Sequence, residues 1–412
     1  MIAAQESRTR SVSQRRLKIG FRAIVLFLIL GSSFLAFRGL FASDTGQVDR
    51  QHPRESSWEK HVIHSGVRTV TAVAGDFTGD GLIDVVSDGG GKTRLFIAPD
   101  WMEVVIDDHP TISHYIHSEC FDVDSDGDLD FIGARYNPGL IVWLENPGDG
   151  QGQWLARIAD DRVHGIHGLN QADVDGDGKM DLLATSAQPK PPYPESLVWL
   201  RVPERPRQVD RWDVFPFAIE DAPGLTHYLG VGDIDGDGRV DAVTGAKGGP
   251  QATSEGEWFA WWKSDSTSKG RWSKMMVSRD EPGATNIHPV DVDQDGVIDL
   301  LASRGHGEGV MWFKGPNWKR YMIDESIKEP HCLAVADLDN DGDMDAATCA
   351  YGDRVAVWYE NDGQGGFTRH LIGEDQEAYD IRAIDFDSDG DLDLLVAGRA
   401  SDNVVWFENP RH

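Results

Sequence analysis

Asp173-Val174-Asp175-Gly176-Asp177-Gly178-Lys179-Met180-Asp181 is an acidic nine-residue loop, and the chain writes it, or a close variant, seven times. The copies begin at Asp76, Asp122, Asp173, Asp233, Asp291, Asp337 and Asp385, at intervals of 46, 51, 60, 58, 46 and 48 residues. A recurrence of that size marks one supersecondary unit used repeatedly. Within the loop, carboxylates at positions one, three and five converge when the backbone curls, Gly178 permits the sharp turn, and Asp181 closes the shell. The donors are all oxygen, which suits calcium with its ~6–8 ligands better than zinc or magnesium.

The expected ligands can be named copy by copy. They are Asp76, Thr78, Asp80 and Asp84; Asp122, Asp124, Asp126 and Asp130; Asp173, Asp175, Asp177 and Asp181; and Asp233, Asp235, Asp237 and Asp241. The last three sets are Asp291, Asp293, Asp295 and Asp299; Asp337, Asp339, Asp341 and Asp345; and Asp385, Asp387, Asp389 and Asp393. Thr78 leaves the first site one charge short, so up to seven ions are expected, with that site the weakest. Position seven offers only its carbonyl, and its side chain is expected to be free. Position eight is always apolar, from Ile83 to Leu392, and is expected to carry the chain back into the core. An EF-hand would need a bidentate Glu at position twelve. Ser87, Gly133, Ala184, Thr244, Ala302, Thr348 and Val396 stand there, which excludes it. A solvated acidic turn without metal would serve for one copy. Seven clusters of mutually repelling carboxylates call for a cation.

Each loop sits in a fixed frame. A short alternating strand precedes it, as in His331-Cys332-Leu333-Ala334-Val335-Ala336, and an apolar strand follows, as in Asp393-Leu394-Leu395-Val396-Ala397. A third strand carries Phe96, Trp143, Trp199, Trp261, Trp312, Trp358 or Trp406, and a fourth opens near Trp101, Trp154, Trp212, Trp272, Trp318 or Phe367. Period-two segments between Gly, Pro, Asp and Asn turns are strands. Four strands in each of seven units predict an all-β, seven-bladed β-propeller. Only six fourth strands follow a third, and the seventh lies before the first unit, at Trp58-Glu59-Lys60-His61-Val62-Ile63. That segment is expected to complete the last blade and close the ring, leaving no raw edge. The aromatic columns are expected to fill the space between blades.

With these loops and strands in place, residues 57–410 resemble the FG-GAP/VCBS repeat family, whose calcium loops sit on integrin-like propellers. The resemblance implies the fold and the ion. It does not imply a role, since propellers serve binding and catalysis alike.

The charge of −30 follows largely from the loops, which hold 27 aspartates at the ligand positions. Seven divalent ions would cancel 14 of those charges, so the acidity reads as metal sites. Nucleic acid is not an expected partner, because the repeat region has no basic stripe. Residues 1–42 are different. Arg8, Arg10, Arg15, Arg16, Lys18 and Arg22 precede an apolar run from Ala23 to Phe37. This reads as an export signal or as an uncleaved membrane anchor. Either places the propeller outside the cytoplasm, secreted or anchored, with contact to a membrane only through this segment. Residues 43–56 read as a linker. Cys332 and Cys349 fall at matching register on adjacent strands, where a bridge is conceivable, but buried free thiols are the simpler expectation.

Hairpin geometry sorts the connections onto two faces. The acidic loops define a bottom, so segments entering each first strand and leaving each second strand lie on the top. Entering are His114, His117, His164, His167, His227, His288 and His331, with Tyr379 in the last unit. Leaving are Arg135, Tyr136, Lys247, Arg304, His306, Tyr351 and Arg399. Any single His is better read as a satisfied turn residue, but seven of the chain's fourteen histidines fall in this one kind of segment. A cationic, imidazole-rich mouth would suit an anionic or polyhydroxyl ligand, such as a carbohydrate or a cell-surface molecule. Three functions follow as expectations. One is a binding module. Another is a sugar or polysaccharide lyase or dehydratase, which the resemblance permits because some polysaccharide lyases and aldos-2-ulose dehydratases share such propellers. The third is a calcium-rigidified spacer. For the lyase, His167, His227, Arg135 and Tyr136 are the catalytic candidates, a His acting as base near neutral pH. Convergence of several top-face histidines with an Arg or Tyr would favour the enzyme, and dispersal would favour binding.

Overall fold

The computed structural model describes residues 57–252 and 254–410. The segment read as a signal or anchor, and the linker, lie outside the described residues. Among those described, no helix is long and apolar enough to cross a membrane.

Seven four-stranded antiparallel sheets form a closed ring. The innermost strands are Thr69–Gly75, His117–Phe121, Leu169–Ala172, Thr226–Gly232, Asn286–Val290, Pro330–Ala336 and Asp380–Ile384. Each touches the innermost strand of the next blade, and the last touches the first. The expected closure is present: Glu59–Ser65 pairs antiparallel with Asn403–Glu408 and completes the seventh sheet. It even carries a register shift, between Val62 and His64. Equivalent shifts fall between Thr93 and Arg94 and between Ile141 and Val142, where third strands meet fourth strands. Such bulges add twist, which a propeller blade needs on its outer side.

The aromatic columns lie between blades as expected. Trp143, Trp199, Trp261, Trp312, Trp358, Trp406 and Phe96 are all buried. Trp58 of the closing strand is buried too and meets Trp358 edge-on at 6.3 Å. Cys332 and Cys349 are register partners, but the thiols are unbridged.

The loops also follow one geometry. The residue before each loop pairs with its ninth residue, from Gly75 with Asp84 to Ile384 with Asp393. Each loop is therefore an eight-residue hairpin connection whose ninth Asp opens the second strand. One expectation needs correction. Position eight reaches the core only in part: Met180 and Met344 are exposed, whereas Ile83, Leu129, Ile298 and Leu392 are half-buried and pack against it. Position two goes deeper. Phe77, Val123, Val174, Ile234, Val292, Leu338 and Phe386 are all buried. Position seven is not free throughout either, since Asp343 and Asp391 are buried.

Candidate functional site

The bottom of the ring is built from the ninth aspartates upward. All seven are buried, at no more than 3% exposure. One oxygen of each accepts from a backbone N–H at the end of the third strand, as Asn146 to Asp130 at 2.8 Å and Asn361 to Asp345 at 2.7 Å. The other generally accepts from position two, as Val292 to Asp299 at 3.0 Å and Phe386 to Asp393 at 2.9 Å. The first Asp takes the N–H groups of positions five and six, as at Asp233, 2.9 and 2.7 Å. Neighbouring blades are strapped to these loops. The Asn146 amide donates to the Phe77 carbonyl, Asn361 to Val292 and Asn409 to Leu338, at 2.7–2.9 Å.

Desolvation raises the ninth carboxyls, to about 7 at Asp130, Asp181 and Asp345 and to about 6 at Asp241, Asp299 and Asp393. The backbone donors pull the other way without cancelling it. Positions one, three and nine bring one oxygen each within 4.8 Å of the others in the second, third and fourth loops. Asp175 Oδ1, Asp293 Oδ1 and Asp385 Oδ1 are buried without a hydrogen-bond partner, as oxygens that a cation would satisfy. These all-oxygen sets fit a hard divalent ion. Basic side chains also reach four loops. Arg207 bridges Asp124 and Asp126 at 2.6 Å each, Arg201 meets Asp175 at 2.8 Å, Lys263 meets Asp237 at 2.8 Å, and Lys314 meets Asp295 at 2.8 Å.

At the top, imidazoles gather from the innermost strands, which carry His227 and His331, and from the loops beside them, which carry His167 and His306. His167 stacks on His227 with ring centroids 3.5 Å apart. His306 Nε2 lies 3.0 Å from His227 Nε2. The His331 ring is 5.6 Å from that of His227, 6.0 Å from His167 and 5.1 Å from His306. Tyr379 stacks on His331 at 3.6 Å, and the Tyr228 hydroxyl is 3.2 Å from His331 Nδ1. Burial holds His167, His227 and His331 well below the usual imidazole range, and their mutual repulsion adds to it. His306 is lowered by its buried flank and then by Lys247 and Arg399, although its outer edge is open to solvent. These rings are neutral at pH 7.

An upper pocket of about 460 Å³ adjoins the cluster. Arg68, His114, Arg135, Tyr136, Tyr379 and Arg399 line it, with Asp88 at its floor. Tyr136 faces His167 edge-on at 6.3 Å, and Arg399 lies 4.1 Å over Tyr379 and 5.7 Å over Tyr351. The convergence is therefore real for His167, His227, His306, His331, Tyr136, Lys247, Tyr351 and Arg399. Three of the residues read as top-face candidates are otherwise engaged, Arg135 among them, since its Nη1 donates to the Thr111 carbonyl. His164 Nδ1 binds the Pro138 carbonyl at 2.9 Å, and Arg304 Nε pairs with the buried Glu281 at 2.9 Å. His117 and His288 line a lower cavity of the channel, also about 460 Å³.

That lower cavity holds a group that sequence reasoning missed. Arg382 is half-buried in mid-channel, donating to the Ser118 carbonyl at 2.6 Å and lying 3.4 Å from Asp380 and 3.5 Å from Glu119. Burial alone would raise Asp380, yet Arg382 beside it holds the carboxyl low. Thr71 Oγ1 donates to Asp380 at 2.9 Å. The signal was available: Glu119 follows His117 by two, and Arg382 follows Asp380 by two, so all four side chains share the channel face of their strands.

Ring, blades and loops together define a seven-bladed β-propeller with an acidic loop on every blade. Within that class, the FG-GAP-like repeat matches residues 122–184 and 337–396, which contain the second, third, sixth and seventh loops. The chain thus carries FG-GAP-like repeats, as the loops had suggested. No curated protein matches it in sequence. Among solved structures, BBS1N in complex with ARL6DN is similar with a TM-score of 0.58 at 9% identity, over 86% of this chain and 98% of that one. Virginiamycin B lyase from Staphylococcus aureus is similar with a TM-score of 0.57 at 9% identity, over 86% and 99%. At such identities the likeness is one of fold.

Proposed function

We infer that the FG-GAP-like propeller serves as a binding or structural module. Beyond that, we propose that this chain is an extracytoplasmic, calcium-stabilised propeller that binds an anionic or polyhydroxyl ligand, an acidic polysaccharide above all, at the upper mouth of its channel. The observation that carries the reading is the pocket in which Arg68, Arg135 and Arg399 stand beside Tyr136, Tyr379 and the imidazole cluster. Guanidinium forks recognise carboxylates bidentately, and tyrosine faces stack on sugar rings. The acidic loops are then scaffolding: they repeat on every blade, whereas the mouth differs from blade to blade and can recognise an asymmetric ligand.

The convergence of the top-face histidines with Tyr136 counts towards a second reading, the lyase. His227 and His306 meet at 3.0 Å and are neutral at pH 7, as a general base must be. With Tyr136 edge-on to His167 at 6.3 Å, the mouth has the parts to remove a proton alpha to a carboxylate. The two similar folds do not choose between these readings, since one is of a complex with a partner and the other is of a lyase. A screen of acidic and neutral polysaccharides, read by calorimetry and by mass detection of unsaturated products, tests both. Binding without product supports the module, and unsaturated product supports the lyase. If Arg135→Ala with Arg399→Ala leaves a detected binding or turnover unchanged, the mouth is the wrong site.

A further inference from the structure

We infer that the histidine cluster at the top of the channel is a second kind of metal site, in which His167, His227 and His331 hold one zinc-like divalent ion, with His306 at its open side. One nitrogen from each of the three lies within 4.8 Å of the others, and all three residues are buried. His167 Nδ1, His227 Nδ1 and His331 Nε2 are buried nitrogens without a hydrogen-bond partner. Buried polar atoms usually find a partner, so three orphans in one cluster point to a missing one. An imidazole gives one nitrogen to an ion, and His227 Nε2 already meets His306 Nε2 at 3.0 Å, so Nδ1 is the nitrogen that His227 has to offer.

The protonation state agrees. Metal ligation needs neutral imidazole, and burial keeps these rings neutral. Tyr228 at 3.2 Å from His331 Nδ1, and the stacked Tyr379, fix the His331 ring, as outer partners of metal-bound histidines do. Imidazole donors select zinc, copper or nickel, and carboxylate loops select calcium, so the two kinds of site would not compete. Lys247 and Arg399 stand close enough to act on His306, and they oppose a bare dication. They therefore specify the remaining ligand as an anionic oxygen, from hydroxide or from a bound carboxylate. The inference shares its mouth with the functional reading above but does not depend on which sugar occupies it.

The test uses the full chain, stripped of metal and reloaded with calcium, and titrates zinc alone by calorimetry. One zinc per chain is expected, in addition to calcium, with affinity falling at least about a hundredfold in His167→Ala/His331→Ala. Calcium-dependent melting of the variant should match the parent. Copper loaded onto the unaltered chain gives a readout that needs no variant: nitrogen superhyperfine splitting from imidazoles in the electron paramagnetic resonance spectrum. No zinc uptake, an oxygen-only copper spectrum, or unchanged affinity in a folded variant would overturn the site. Zinc-free protein that binds polysaccharide normally while taking up no zinc would overturn the metal and leave the mouth standing.

Discussion

The two ends of the channel are built from opposite materials under the same constraint. At the bottom, seven carboxylates are buried at the ninth loop position, and at the top, imidazoles are buried at the strand entries. Desolvation disfavours charge at both. It pushes Asp130 up to about 7 and holds His227 well below its ordinary range. Each end is thus most comfortable neutral in the ion-free chain, and each has donors that a suitable cation would satisfy. The difference is what surrounds them. The carboxylates are pinned by backbone N–H groups in the same way on every blade, as architecture requires. The imidazoles come from unequal blades and face a pocket.

The largest expected effect is on the bottom alone. Each ion that binds only the folded chain contributes ~2.7 kcal/mol at a hundredfold excess over its Kd. Several loops acting together should raise the melting temperature by at least about 10 °C in calcium over chelator. Thermal melts at pH 7.5 measure this. Equal melting in both would remove calcium from the account and leave the loops as hydrogen-bonded turns.

The pH dependence sets the two ends against each other. A ninth Asp with a raised folded pKa binds protons more readily folded than unfolded. In ion-free protein its contribution is therefore full below the unfolded value near 3.9 and is lost as pH rises towards about 7. A depressed His works the other way: its contribution is full above about 6.5 and is lost as pH falls below that. Between pH 4.5 and 7 the two slopes oppose, and the ion-free chain should melt with little net pH dependence. Calcium favours ionised aspartate and reverses the first slope. Both ends then lose stability on acidification, and the melting temperature should fall clearly from pH 7 to pH 5. Parallel pH profiles with and without calcium would contradict this.

How much of this contrast was legible follows from the kind of signal each end carries. The loops announce themselves, because ligand spacing is local and repeats. The closing strand was legible by counting, and its leading Trp58 sealed the match. The mouth was legible only as a face. His164 and His167 are three residues apart in one segment, yet one bonds to the Pro138 carbonyl and the other stacks on His227. That difference depends on where the chain leaves its turn for the strand, which local spacing does not encode. Arg382 escaped notice because a charged side chain inside a short apolar strand looks like an edge position until the ring closes around it. The buried position two was visible as seven apolar residues, but the equally apolar position eight was the more obvious choice.

A smaller effect probes the bottom from within. Lys314 lies on the carboxylates of Asp293 and Asp295, where an ion would draw on the same oxygens. Lys314→Met removes that competitor. Calcium affinity of the fifth loop should tighten by roughly two- to fivefold, the scale of a surface ion pair. Weaker binding would mean that the ammonium supports the loop geometry more than it competes.

The smallest expected effect is at the top and is a control on position. His164 lies in the same kind of segment as His167, and composition alone treats them alike. Its Nδ1, however, bonds to the Pro138 carbonyl at 2.9 Å, and the ring stands outside the stacked cluster. Losing one partly exposed hydrogen bond costs about 1 kcal/mol or less. His164→Ala should therefore shift melting by only a degree or two, and it should leave polysaccharide and zinc binding within about twofold. His167→Ala removes a ring 3.5 Å from its neighbour and should lose zinc. The pair of variants separates convergence from composition. If His164→Ala abolishes binding as His167→Ala does, the rim of the mouth is the functional surface, and the buried cluster is only its support.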